Sequence, residues 1–230
     1  MLKEVKTRNS NIELLRIITM LVIVAHHYVV NSGIGDIVLN NSAINIKNAF
    51  YLIIGCGGKI GINCFVLITG YFMCKSRITI RKFLKLVCEI EFYSFIIFAI
   101  FFVTGYETFS AKMFLKNMIP FFDISTGFIA CFLLFYLFIP FLNILIIHMK
   151  KREHELLLTL CLIIYTILPS LAKANVTFNY ITWFIVLYIL ISYVRYYPRD
   201  IYQNMKIWRN LMIISIIFSW ISIIVCWYID

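Results

Sequence analysis

Residues 11–30 read Asn-Ile-Glu-Leu-Leu-Arg-Ile-Ile-Thr-Met-Leu-Val-Ile-Val-Ala-His-His-Tyr-Val-Val. This stretch is long and apolar enough to cross a bilayer as a helix. Four of its side chains are nevertheless polar and ionisable: Glu13, Arg16, His26 and His27. A charged side chain within a membrane segment costs roughly 2.5–3.5 kcal/mol on insertion scales, so such residues usually face a protein interior or a cavity. They are therefore candidates for function.

The spacing of these residues places three of them on one face of the helix. Arg16 and His27 are about three helical turns apart, which is roughly 16 Å along the axis. Glu13 precedes Arg16 by three residues and lies on the same face. His26 is rotated about 100° away. The residues alone leave two interpretations open, a functional face or a structural one in which Arg16 extends to the aqueous surface and His27 bonds a neighbouring helix.

The composition identifies the class of protein. The chain has 230 residues, of which 62% are hydrophobic and 14% charged, and its mean hydropathy is +0.91. Soluble domains are about 45–50% apolar and 25% charged. Continuous apolar runs favour helices over barrel strands. We therefore expect an all-α, polytopic membrane bundle, and residues 1–230 contain no polar segment long enough for a separate soluble domain.

Seven apolar segments are near the length that a bilayer requires. We predict spans at about 12–30, 60–74, 84–104, 128–147, 156–172, 181–196 and 210–229. Residues 43–54 have the pattern of an amphipathic helix that lies at the membrane interface, not across it. A Gly-rich stretch, with Gly57, Gly58 and Gly61, opens the second span and allows close helix approach.

The distribution of basic residues predicts the orientation. With a cytoplasmic N-terminus, most of the 21 Lys and Arg residues fall on the cytoplasmic side, as the positive-inside rule requires. Arg16 then lies near the inner face, and the two histidines lie towards the outer face. The net charge of +10 follows from this topology, and no basic run interleaved with aromatic residues indicates a nucleic-acid partner. The seven cysteines form no CxxC or Cys/His cluster, so we expect no metal site.

A basic patch begins the predicted third span. It consists of Arg77, Arg81, Lys82 and Lys85. One interpretation is a solvated anchor for anionic lipid, and the other is the rim of a phosphate site. Glu89 follows Lys85 by four residues and is expected to pair with it.

Three pieces of the sequence, in this order, resemble the family-3 integral membrane acyltransferases, which include O-acetyltransferases of bacterial surface polysaccharides. The first is residues 8–27, with a basic-residue-x10-His pattern at Arg16 and His27. The second, residues 57–72, is similar to the family's Gly- and Phe-rich second span, with Thr69 in place of a Ser. The third and weakest is residues 136–143, Tyr-Leu-Phe-Ile-Pro-Phe-Leu-Asn.

The resemblance implies an activity. Family members move an acyl group, usually acetyl, from cytoplasmic acyl-CoA to a hydroxyl of a glycan outside the cytoplasm, and no metal is implied. Arg16, Lys82 and Lys85 would hold the CoA phosphates. His27 would be the general base or help to carry the acyl group, with His26 as the alternative residue. The expected location is the plasma membrane of a bacterium, with acyl-CoA, a polysaccharide and the lipid bilayer as partners.

The sequence departs from the family pattern in three places. Lys82-x-x-Lys85 stands where the family often has Arg-x-x-Arg, and Gly127-Phe128 stands where it has Trp-Phe. Members usually have about ten spans, so we expect a chain that ends after the seventh span to be incomplete at its C-terminus. A proton-coupled transporter, with ionisable residues along its substrate path, and an inactive truncated relative remain the alternatives. No inverted repeat is visible, which weighs against a transporter.

Overall fold

The computed structural model of the chain describes residues 10–40, 45–106, 110, 114, 127–171 and 179–229. Within those ranges the regular secondary structure is helical, which confirms the predicted all-α class. The α-helices are α1 (Ser10–Asn31), α2 (Ile34–Asn40), α3 (Ile46–Gly55), α4 (Gly57–Met73), α5 (Ile80–Val103), α6 (Phe128–His148), α7 (Lys151–Leu162), α8 (Leu168–Leu171), α9 (Tyr180–Tyr196) and α10 (Met205–Ile229). A π-helical turn, Ile163–Ile167, joins α7 to α8, and a 3₁₀ turn, Asp200–Gln203, precedes α10.

The helices account for all seven predicted spans. Six described helical segments are long and apolar enough to cross a membrane, and α9 is a shorter apolar helix. The six are Ser10–Asn31, Ile46–Met73, Ile80–Val103, Phe128–His148, Lys151–Leu171 and Met205–Cys226. The third span begins earlier than predicted because Thr79 caps it, accepting a hydrogen bond from the backbone N–H of Lys82. The chain is thus a multi-pass membrane protein.

The structure differs from the prediction at residues 43–54. Residues 43 and 44 lie outside the described residues, and α3 begins after Asn45, whose side chain caps it by accepting from Asn48 N at 2.7 Å. A single residue, Cys56, separates α3 from α4, and its φ of −77° and ψ of −14° remain near-helical. The predicted interfacial helix therefore runs directly into the second span. The apolar residues of α3 extend that segment to 28 residues in length.

The chain divides into two units, residues 1–69 with 197–230, and residues 70–196. In the first unit α1 packs on α2 and α3, and α10 packs on α3. The helix α1 runs antiparallel to the end of α3 and to α4, with Val29 opposite Gly55 of α3 and Ile23 opposite Gly61 of α4. Most side chains of α1 and α10 are exposed and apolar, as lipid-facing surfaces are.

The second unit has its core between α6 and α9. Phe135 lies at its centre, fully buried, and makes edge-to-face contacts with the rings of Phe184 and Tyr188. The start of α7 packs on the end of α9, where buried His154 donates from Nε2 to the carbonyl of Ile189 at 3.1 Å. The ends of α4, α6 and α9 meet the beginning of α5 at one end of this unit. That arrangement agrees with the predicted alternation of the spans.

Candidate functional site

The first turns of α1 carry the predicted cation. Arg16 lies one turn after Glu13, and the guanidinium and carboxylate are 3.8 Å apart. Their side chains are 42% and 36% exposed, so the pair is open to a ligand or to solvent. A partly exposed pair of this kind contributes little to stability. Arg16 therefore lies beside Glu13 near the start of α1, with part of its side chain exposed.

His26 faces the helices that pack on α1. Its Nδ1 donates a hydrogen bond to the carbonyl oxygen of Gly55, the last residue of α3. Its ring also lies against Gly58, where a β carbon would overlap three ring atoms. Only a glycine at position 58 leaves room for the imidazole. In the neutral ring, a proton on Nδ1 leaves Nε2 as the acceptor.

The glycines of the second span have a packing role. The Cβ of a larger residue at Gly57 would stand 2.8 Å from Val22, and one at Gly61 would stand 2.6 Å from Ile23. These distances show that α4 approaches α1 more closely than ordinary side chains permit. Small residues at helix interfaces allow this approach within membranes. The Gly-rich stretch thus brings α4 against the face of α1 that contains His26.

His27 lies on a different side of α1 and is exposed. Its ring centroid is 5.4 Å from that of His26, in an edge-on arrangement. His27 is consequently not among the α1 residues that contact the glycines of the second span. The rotation of about 100° between the two histidines, expected from the helical period, separates an exposed imidazole from a half-buried one.

A cavity of about 550 Å³ lies in the first unit, among α1, α3, α4 and α10. Its lining is mostly apolar and includes Val22, Ile53, Ile60, Met212, Ile216 and Trp220. Two hydroxyls, from Ser215 and Ser219, add polarity to one wall. Neither histidine nor Arg16 is among the described residues that line it.

The two predicted lysines lie on α5, in the second unit. Lys82 Nζ donates to the carbonyl oxygen of Arg77 at 2.7 Å, so this ammonium is held against the segment between α4 and α5. Lys85 pairs with Glu89 at 3.6 Å, as the sequence predicts, and both side chains are more than half exposed. The two lysines therefore have different surroundings, one beside a connecting segment and one on an open helix face.

A polar network in the second unit was not predicted from the sequence. Asn143 donates from Nδ2 to the carbonyl of Met73 at 3.1 Å and accepts from the hydroxyl of Tyr188 at 2.6 Å. Arg195 donates to the hydroxyl of Tyr71 and lies over that ring, 4.2 Å from its centroid. An amide within an apolar run and a cation at a helix end were the available signals, but their partners are distant in sequence.

No curated protein and no solved structure matches the chain. A family model described as an acyltransferase domain matches residues 9–230. The match includes every described helix, because α1 begins at Ser10. Because it covers almost the whole chain and agrees with the membrane-spanning fold, this chain belongs to acyltransferase family 3 and is a membrane acyltransferase.

Proposed function

We propose that the chain transfers an acyl group, most simply acetyl, from cytoplasmic acyl-CoA to a hydroxyl of an extracytoplasmic or cell-surface glycan. The observation that carries the proposal is the order of a cation and two imidazoles along α1, in a chain that belongs to this family. Arg16 lies near the predicted cytoplasmic end, and a pair of imidazoles lies about three turns further on. A donor entering from the inner face would meet the cation first and the imidazoles last.

The donor is acyl-CoA, and Arg16 is the first proposed contact for its phosphates. A guanidinium binds phosphate through two parallel hydrogen bonds. Arg16 keeps 42% of its side chain exposed beside Glu13, so a phosphate can reach it. Lys82 and Lys85, carried over from the sequence resemblance, are the further proposed phosphate contacts. A lysine acts there as a point charge without the fork of an arginine.

The base is His27. The glycan hydroxyl gives its proton to the imidazole while its oxygen attacks the thioester carbonyl. The C–S bond then breaks, and the CoA thiolate takes the proton from the imidazolium as it leaves, which restores the base. Imidazole suits this role because its ordinary pKa lies near the operating pH. The exposed ring of His27 is accessible to a bulky acceptor, whereas that of His26 is held by Gly55 and Gly58.

His26 is the alternative base and otherwise a positioning residue. Its hydrogen bond to Gly55 and its contact with Gly58 hold the end of α1 in one rotation about its axis. That rotation determines where the neighbouring His27 ring points. A general base must lie within hydrogen-bond reach of the proton that it removes, so a small rotation of α1 would affect transfer.

The test offers acetyl-CoA labelled in its acetyl group to membranes that contain the chain and a surface glycan. We expect label in the glycan, and none in membranes that lack the chain. If the chain is a transporter, the glycan should stay unlabelled in membranes with the chain and in membranes without it. Label that stays entirely in acetyl-CoA, under conditions in which the chain is folded and present, would contradict the proposal.

A further inference from the structure

A second cavity, of about 530 Å³, lies entirely within the second unit. It is formed where α4, α6 and α9 end and where α5 begins. The segment 74–79, which joins α4 to α5, makes most of one wall, and Pro140, Asn143, Ile147 and Tyr196 complete it. Because the ends of membrane-spanning helices lie near the bilayer surface, the cavity is at the depth of lipid head groups. The distribution of basic residues places this end on the cytoplasmic side.

The lining of the cavity is cationic. Lys75 and Arg77 both line it and are exposed, and Lys75 Nζ is 4.9 Å from the ring centroid of Tyr196. No Asp or Glu is among the described residues of the lining. A third cation, Lys82, touches the carbonyl of Arg77 from outside. Positive charge without a compensating carboxylate in the wall favours an anionic occupant.

The wall is held in place before any ligand binds. Asn143 donates to Met73 O at 3.1 Å, and the hydroxyl of Tyr196 donates to Cys74 O at 3.0 Å. The hydroxyl of Ser76 donates to Phe72 O at 2.9 Å. The bonds of Asn143 and Tyr196 join the segment that carries Lys75 and Arg77 to the ends of α6 and α9, and the Ser76 bond joins it to α4. Less conformational entropy is lost when a ligand binds to a preorganised site than to a mobile one.

Other residues of the lining are apolar. They are Ile78, Pro140 and Ile147, and Ile147 is 63% exposed, in a position to face lipid. An occupant that matches both kinds of side chain has an anionic head and an apolar extension. Basic pockets between membrane helices on the cytoplasmic side are typical binding sites for phospholipid head groups.

We propose that this cavity binds the phosphate of an anionic phospholipid from the surrounding leaflet. The apolar residues of the lining favour a lipid over a soluble phosphate. The inference stands apart from the proposed function, because phosphate binding here requires neither acyl transfer nor the histidines of α1. The site consists of Lys75 and Arg77 as cations, Asn143 and Tyr196 as its supports, and Ile147 on the apolar side.

The test titrates the purified full chain in detergent and follows thermal unfolding. One arm uses short-chain phosphatidylglycerol, the second 3′,5′-ADP, and the third phosphatidylcholine, whose head group is neutral overall. We expect the apparent Kd for phosphatidylglycerol to rise at least tenfold in the double variant that combines Lys75→Gln with Arg77→Gln. Lys206→Gln/Arg209→Gln removes the same charge from exposed positions on α10 and should change the Kd less than twofold.

The remaining outcomes separate the sources. Binding of phosphatidylglycerol that depends on Lys75 and Arg77 would support the proposal. Such a dependence with 3′,5′-ADP alone would overturn it, because the two cations would then bind a soluble phosphate and not a lipid. Lys75→Arg/Arg77→Lys keeps the charge and should bind like the unchanged chain. Equal binding in the two glutamine variants, or no binding of either anion, would overturn the proposal. The transfer assay is independent of these results.

Discussion

The imidazole of His26 lies where the β carbon of any residue larger than glycine at position 58 would have to stand. The same ring donates a hydrogen bond to Gly55, so it is held from two sides. This contact joins the end of α1 to the junction of α3 and α4. It also fixes the rotation of α1, and therefore the direction in which the exposed ring of His27 points.

Gly58→Ala should displace His26. The added methyl overlaps the ring, and overpacking of this kind costs about 1–3 kcal/mol. We expect a lower Tm and reduced acetyl transfer. Gly35→Ala is the matched control, because its β carbon would meet only Val29 O at 3.7 Å, an ordinary contact, within the short helix α2. A Gly58→Ala variant with unchanged Tm and activity would show that the contact does not constrain α1.

Arg16→Gln should weaken the binding of acyl-CoA more than it slows the chemical step. A hydrogen bond to a charged group is worth about 1.5–3 kcal/mol, which corresponds to a tenfold or greater rise in KM. Steady-state transfer at varied acetyl-CoA concentration measures the change. Arg152→Gln, at an exposed position on α7, should leave KM unaltered. If Arg16→Gln lowers kcat alone, the guanidinium does not bind the donor's phosphates in the ground state.

Tyr188→Phe removes the hydroxyl that donates to Asn143 at 2.6 Å. Interhelical hydrogen bonds in membranes contribute about 0.6 kcal/mol on average and up to about 1.7 kcal/mol. The expected result is a loss of stability in this range, measured by reversible unfolding in mixed micelles. Tyr93→Phe, on an exposed part of α5, should have almost no effect. In Asn143→Ala, the further change Tyr188→Phe should cost little, because the partner is already absent.

Cys74 should react slowly with alkylating reagents. Burial raises the pKa of its thiol above the ordinary value, and the nearby Arg195 and Lys75 charges only partly oppose this effect. A raised pKa means less thiolate at a given pH, and the thiolate is the reactive form. In a variant whose single cysteine is Cys74, alkylation by N-ethylmaleimide at pH 8 should be at least ten times slower in the native chain than in SDS. Equal rates would show that the thiol is accessible.

The sequence predicted the spans because apolar runs and basic loops report membrane topology directly. It also separated His26 from His27 by the helical period. It did not predict which face of α1 packs on α4, because this depends on close contacts of Gly58 and Gly61 with residues more than thirty positions away. The continuity of α3 with α4 was missed for a local reason, since Cys56 keeps a near-helical conformation in a stretch of glycines.

The polar network of the second unit illustrates the other limit. Asn143 is one amide in an apolar helix, and its partners at Met73 and Tyr188 lie 70 and 45 residues away. Composition and periodicity contain no information on such pairs. The cationic cavity beside Asn143 likewise requires three helix ends to meet. Lys75 and Arg77 were visible in the sequence only as part of a basic loop.

The most direct measurement compares acetyl transfer to glycan by His27→Ala, His26→Ala and the unchanged chain. Removal of a general base typically lowers the rate by 10²–10⁴-fold, so His27→Ala should lose transfer by at least a hundredfold. His148→Ala is the control, because that ring is exposed on α6 and bonds only its own helix at Ile144 in the described structure. Loss in His26→Ala alone would assign the base to His26. Full transfer by both His26→Ala and His27→Ala would contradict the mechanism.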